Sequence, residues 1–472
     1  MSPLVILVVG ITVVVVMILV LRMNAFLALI AAALVASLLM PGDWGEKGAR
    51  VANALGNSAG SIAIVIAMAA IIGKCMMLSG AAERIVVSLC RVLGEKRFPT
   101  ALCGSGFVLG IPVFYDTVFY LLIPLARSFY KKMRKNYILC LMTICAGAMI
   151  THSMVPPTPG PLIIASNLGI PIGSMMLIGL FVGIFLFPIG IAASHLINWY
   201  MPNPKTNFDA ELVAPEEGAV AFSSMEAELS EKKLPTLGWS LLPIVMPVIL
   251  IALGSACEAL KESSLFVEAS GFSLFLINTV KLLGSKDVAM MLSAAMAMLV
   301  YYRQKIASLN EIRDHLESAL TDAGLIILIT AAGGAFGKML QEAKIGDVIA
   351  SALKSDSTTT GLTILLAAFC VSSLLKLSLG SSTVAMITAS AIFKAMGLNS
   401  EILGFHLAYL GLTISCGSLV TSWMNDSGFW VTSRMAGISE IDTLKSVSVL
   451  HIVIGCSGFL IILLFTQLFP FV

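Results

Sequence analysis

Long, predominantly apolar runs are the feature that most constrains this chain. Residues 3–21, 25–40, 58–78, 239–256 and 320–340 are such runs, and about twenty apolar residues carry a helix across the hydrocarbon core. In lipid every backbone N–H and C=O must find its partner inside the protein, which leaves helices and closed barrels. Barrel strands alternate apolar and polar residues over about ten positions, and these runs do not alternate. Only 12% of the 472 residues are charged, against about 25% in a soluble protein. The expected fold class is therefore an all-α polytopic membrane protein with about 10–12 transmembrane helices. Residues 3–21 lack a basic lead and a cleavage pattern, so they are expected to be a retained span, not a signal peptide.

The runs are broken in telling places. Residues 106–127 read GFVLGIPVFYDTVFYLLIPLAR. Gly110 and Pro112 interrupt the helix, and Asp116 follows. A Gly/Pro-interrupted apolar segment points to a transporter binding site, and an ionisable residue at such depth is costly and functional by default. Basic residues flank the stretch on both sides, Arg84, Arg91, Lys96 and Arg97 before it and Arg127, Lys131, Lys132, Arg134 and Lys135 after it. Both clusters belong in the cytoplasm, so residues of about 99–128 are expected to enter the membrane and return, as a re-entrant hairpin. Residues 137–154 then run into HSMVPPTPGP at 152–161, where prolines forbid a continuous helix. The expectation is a broken helix over 137–168, then a span from 171 to about 199.

The acidic stretch 202–236 reads as a polar linker between two halves, residues 1–201 and 237–472. The second half holds a short apolar run at 272–283, a marginal span at 288–301, and two interrupted segments. One is 361–393, broken by LSLGSST at 377–383. The other is 402–433, broken by TSWMNDSGFW at 421–430. Residues 446–469 make the last span.

The halves resemble each other at several points, and the first block, from Gly73 and from Gly337, aligns without gaps. Gly73-Lys74 falls opposite Gly337-Lys338, Glu83 opposite Asp347, Ile85 opposite Ile349 and Leu89 opposite Leu353. Asp116-Thr117-Val118 falls opposite Ser382-Thr383-Val384, and His152-Ser153 opposite Gly417-Ser418. Each half thus carries one hairpin and one broken helix. The first crosses an odd number of times, so the second is expected to be inverted, with the site at the repeat interface.

Four motifs, GIPVFYDTVFYLLIPLA, HSMVPPTPGP, GSSTVAM and MNDSGFW, together resemble the gluconate permease (GntP) family over nearly the whole chain. The resemblance implies a multi-pass protein of the bacterial inner membrane that imports gluconate or a related sugar acid by proton symport. It also implies an elevator-type mechanism, inverted repeats with paired hairpins, and a homodimer. Thr158 and residues 376–380 depart from the family's usual residues where the substrate would bind.

A sugar acid offers one carboxylate and several hydroxyls. Free N–H groups at helix N-termini suit the carboxylate. The tips at Thr117 and at Ser381, Ser382 and Thr383 would present them from two sides, with helix capping as the plainer role of the hydroxyls. Ser153, Asn425, Asp426 and Ser427 suit the polyol. Asp116, Asp426 and His152 are the proton-coupling candidates: burial favours the neutral form of a carboxylate, and histidine titrates near neutral pH. Lys376 and Arg434 are the candidate partners of a substrate carboxylate, although Arg434 also suits an interfacial anchor. Lys74 and Lys338 suit helix-end anchors.

No cofactor or metal site is expected: none of the nine cysteines forms a CxxC pair, and most lie inside apolar runs. Without HExxH, DDxxD or Walker motifs the chain is not expected to be an enzyme or an ATP-driven pump. Its net charge of +2 gives no case for nucleic acid. The expected partners are a small sugar acid, protons and membrane lipid. Within transport, sodium coupling remains open, as does another small carboxylate or a hydroxylated amino acid.

Overall fold

A computed structural model describes residues 2–133, 135–201, 234–261, 272–304, 308–344, 361–420, 422–424 and 426–471. The linker at 202–233, Asn425, and Asp347, Ile349 and Leu353 of the repeat lie outside them. The described chain is nearly all helix, without a strand.

The first half contains α1 (Pro3–Val15), extended by a π turn at Val16–Val20, α2 (Ala25–Leu39), α3 (Glu46–Leu78), α4 (Ala81–Leu93), α5 (Phe98–Leu109), α6 (Tyr115–Met133), α7 (Tyr137–Met154), α8 (Pro159–Leu168) and α9 (Ile172–Tyr200). The second contains α10 (Leu237–Lys261), α11 (Phe272–Gly284), α12 (Lys286–Arg303), α13 (Leu309–Glu342), α14 (Gly361–Leu379), α15 (Ser382–Lys394), α16 (Ser400–Leu403), α17 (Ala408–Leu419), α18 (Ser427–Ala436), α19 (Glu440–Thr443) and α20 (Val449–Leu468). Among the described residues six helical stretches are long and apolar enough to cross a membrane, or seven if α11 and α12 count as one span bent by 69°. Six further apolar helices are shorter, 10–17 residues each, and four of these, α5, α14, α15 and α17, belong to the interrupted segments. The long and the shorter apolar helices together fall in the range of the expected 10–12 transmembrane helices.

Two boundaries differ from expectation. The apolar run at 58–78 is only the later part of its helix, since α3 already starts at Glu46. Glu46 lies in its first turn, where a carboxylate complements the helix dipole, and Ser37 and Lys47 tie that end to α2. The second broken helix starts at Ala408 and not at 402. Ile402 belongs to α16, which ends at Gly404 in the left-handed conformation that glycine tolerates, φ +76°.

The centre of the molecule is the pair α7 and α8. Of their most apolar window 94% is buried, against 39% for α9, so α9 faces outward while α7 is enclosed by protein. Two glycines permit that closeness. A Cβ on Gly147 of α7 would come within 2.0 Å of the Cys103 carbonyl oxygen on α5. A Cβ on Gly417 of α17 would come within 2.5 Å of the Phe369 carbonyl oxygen on α14. Both are too short for any side chain, so in each half the backbone of the broken helix meets the backbone of the hairpin. The hairpins also cross between halves, with α6 packing on α18 and α15 on α8. Helix α3 packs on α2, α12 and α13, and α13 packs in turn on α2 and on α15 of the second hairpin.

Candidate functional site

A cavity of about 370 Å³ lies where the interruptions meet, inside the range of about 300–1,000 Å³ typical of small-molecule sites. Three helices begin at its wall: α6 with Tyr115, Asp116 and Thr117, α15 with Ser382 and Thr383, and α18 beside Asp426 and Gly428. A helix start carries N–H groups without partners inside the helix and the positive end of the dipole, so three such ends face the cavity. Met149, His152 and Ser153 close it from the end of α7, and Leu419 from the end of α17.

The interruptions are held open by local chemistry. At 155–158 Thr158 Oγ1 donates to the carbonyls of His152 (2.7 Å) and Val155 (2.8 Å), which satisfies the chain where α7 ends and the prolines cannot. Ser381 Oγ caps α15 by accepting from the Val384 N–H (3.3 Å). Asp426 Oδ1 caps α18 by accepting from the Gly428 N–H (3.0 Å). Its Oδ2 accepts from Ser422 Oγ (2.5 Å) and from Lys376 Nζ (2.5 Å). Lys376 is fully buried and also donates to the Gly380 carbonyl (2.7 Å). One ion pair thus joins the tip of the second hairpin to the break between α17 and α18.

The first half grips α18 as well. Tyr115 Oη bonds Thr432 Oγ1 (3.1 Å), Tyr137 Oη donates to the Ala436 carbonyl (2.8 Å), and Arg127 donates to the Met435 carbonyl. A cation and a hydroxyl at the end of α18 meet the carbonyls that have no partner within the helix.

Asp116, Thr117, His152, Ser153, Ser381, Ser382, Thr383 and Asp426 are thus brought to one cavity from both halves. Ser427 opens α18, and Asn425 lies outside the described residues. The two expected cations stand elsewhere. Lys376 faces the protein's own Asp426, because a buried ammonium needs a carboxylate at contact distance. Arg434 stands outside the cavity with a 70% exposed side chain, 3.5 Å from Glu440 and stacked over Trp430.

Three wall residues escaped the sequence reasoning: Tyr115, Asp322 on α13 and His451 on α20. Asp322 sits two residues inside an expected span and His451 five inside another, and an interrupted helix marked neither position. A lone acid within an apolar helix was the available signal for Asp322. The Nδ1 atoms of His152 and His451 are buried with no hydrogen-bond partner among the described residues. The Asp116 carboxylate likewise makes no ion pair or hydrogen bond among the described residues. The cavity therefore presents unused donors and acceptors, as a site for a polar guest requires.

Comparison with known proteins bears on this arrangement. A family model described as GntP family permease matches residues 2–468. The chain is 33% identical to the inner membrane permease YgbN of Escherichia coli, over 93% of each chain. It is 26% identical to a gluconate permease of Bacillus subtilis, covering 98% of this chain and 99% of that one. It is 28% identical to the Gnt-II system L-idonate transporter of Escherichia coli, covering 97% and 98%. Among solved structures, the YdaH transporter of Alcanivorax borkumensis superposes with a TM-score of 0.59 over 94% of this chain and 98% of that one, at 13% identity. That likeness concerns the fold.

Proposed function

The chain belongs to the GntP permease family, and on that premise we propose that it imports a sugar acid of the gluconate and idonate kind across the bacterial inner membrane by proton symport. As a member of a family of permeases it is a transporter, not an enzyme. Curated relatives over nearly the full length are named for gluconate and L-idonate. The starts of α6 and α15 suit the carboxylate, and Ser153, Ser382 and Thr383 suit the hydroxyls.

The observation that carries the coupling is the charge of the cavity. Its wall holds three carboxylates, Asp116, Asp322 and Asp426. Asp426 is paired with Lys376, and no Lys or Arg lines the wall among the described residues. An anionic substrate would face two uncompensated carboxylates, and two like charges about 5 Å apart repel by about 3 kcal/mol at an effective dielectric of about 20. Helix starts offset part of this. Protons on Asp116 or Asp322 remove the rest, which makes the anion's entry conditional on the coupled cation. Asp116 carries the proton on this reading, with Asp322 as a second acceptor. His152 and His451 hold the remaining polar groups.

The elevator-type mechanism follows the resemblance, and inversion of the two halves accords with the reciprocal crossing of α6 to α18 and α15 to α8. The homodimer follows the resemblance. A hydroxylated amino acid is the second reading, favoured by the same unpaired Asp116 and Asp322, which would suit an ammonium group.

The test is uptake of radiolabelled gluconate into proteoliposomes under an imposed pH or sodium gradient. Accumulation driven by an inward proton gradient and competed by idonate is the expected result. Uptake indifferent to sugar acids and to both gradients sinks the proposal; drive by sodium alone moves the coupling to that ion; competition by serine but not by idonate favours the second reading.

A further inference from the structure

Lys74 is a cation that the site described above does not use. It lies four residues before the end of α3 at Leu78, on the side of α4 and the basic residues Arg91, Lys96 and Arg97, hence toward the cytoplasm. It lines a second cavity of about 100 Å³ with Gly73, Ala319 and Asp322. This cavity shares Phe114, Thr117 and Asp322 with the main one, so the two adjoin at the tip of the first hairpin. Lys338, its counterpart in the sequence repeat, stands 3.8 Å from Glu342 and 3.4 Å from the Gln341 side chain. No ion pair or hydrogen bond of the Lys74 amine is found among the described residues.

The two matched glycines differ in the same sense. A Cβ on Gly73 would meet Val113 of the first hairpin at 3.5 Å, an ordinary contact. A Cβ on Gly337 would meet the Ala391 Cβ of the second hairpin at 2.9 Å and its Cα at 3.2 Å. The second hairpin approaches α13 more closely than a side chain at Gly337 would allow, while the first meets α3 at ordinary contact distance. The looser seam is the one that holds the second cavity and Lys74.

We infer that this seam is the cytoplasmic exit of the permease and that Lys74 is a transit point for the carboxylate of the leaving substrate. The inference rests on the sugar-acid reading of the main cavity. A volume of about 100 Å³ admits the carboxylate end of such a molecule, not the whole of it. Asp322 on the same wall keeps the lysine's hold on an anion weak, and a passage needs groups that bind firmly enough to receive and loosely enough to release.

The experiment measures half-saturation separately from each face, in vesicles of known orientation, for the wild type, Lys74→Gln and Lys74→Arg. Loss of one charge-assisted contact is expected to raise the cytoplasmic half-saturation constant about tenfold in Lys74→Gln, with the external constant unchanged and Lys74→Arg close to wild type. A helix-end anchor would shift both faces alike or neither, and either result overturns the inference. If wild-type vesicles carry no sugar acid, the substrate reading fails first. The seam is then decided by Lys74→Cys with a membrane-impermeant anionic thiol reagent, read by mass spectrometry of the peptide containing position 74. Labelling from the cytoplasmic face alone upholds the exit; labelling from outside, or none, overturns it.

Discussion

The ion pair between Lys376 and Asp426 permits the sharpest stability test. Its atoms stand 2.5 Å apart, which gives an attraction of about 7 kcal/mol at an effective dielectric of about 20. Taking two such ions from water costs several kcal/mol each, so the pair as a whole contributes little net stability. Removing one partner is another matter. Lys376→Met leaves the Asp426 carboxylate buried with only Ser422 and the Gly428 N–H, at a cost of about 3–5 kcal/mol. Asp426→Asn leaves the ammonium with the Gly380 carbonyl alone, at a similar cost. The double variant removes both charges together and should lose about 1–2 kcal/mol, since exchanging a whole buried pair for neutral groups is often close to neutral. Equilibrium unfolding in mixed micelles of the wild type, both singles and the double closes the cycle. The expected coupling is about 4 kcal/mol or more. If the two single losses simply add in the double variant, the two ions do not compensate each other, and Lys376 is available to a substrate carboxylate after all.

Asp116→Asn should abolish proton-driven accumulation while counterflow exchange persists, both measured in proteoliposomes; undiminished accumulation would remove Asp116 from coupling. Gly147→Ala places a methyl 2.0 Å from the Cys103 carbonyl oxygen and should cost about 1–3 kcal/mol of unfolding stability or more, read in the same micelle titration, whereas Gly60→Ala, with nothing within 4 Å of the added atom, should cost nothing.

The breaks were legible because they are chemical. Gly110 and Pro112, the prolines between 156 and 161, and the polar tips at 377–383 and 421–430 each contradict the apolar run around them. The structure ends α5 at Leu109, α7 at Met154, α14 at Leu379 and α17 at Leu419. The partnerships at those breaks were not legible. Lys376 and Asp426 are 50 residues apart, and nothing local says that a basic residue at a hairpin tip meets a carboxylate at another break. Asp322 and His451 were hidden for the opposite reason, since they sit on helices that do not break. Their role depends on which face of α13 and α20 turns inward, and in a membrane protein the usual apolar stripe is absent because lipid and protein interior are equally apolar.

The two hairpin tips are unequal in a way that fixes a direction. Both present a helix start to the cavity, so both can receive an anion. Only the first carries a carboxylate, Asp116, where the second has Ser382. The same first tip borders the looser seam through Phe114 and Thr117, together with Asp322 of α13. On the reading proposed here, the groups that take up the proton therefore stand on the side from which substrate departs. Once that seam opens, the proton leaves to a cytoplasm of higher pH, Asp116 regains its charge, and the restored repulsion expels the anion along the same path. A variant with the carboxylate moved to the other tip, Asp116→Ser with Ser382→Asp, keeps the net charge of the cavity and reverses this geometry. Such a protein should bind its substrate yet lose net accumulation under an inward proton gradient, and retained accumulation would show that the position of the carboxylate is immaterial to coupling.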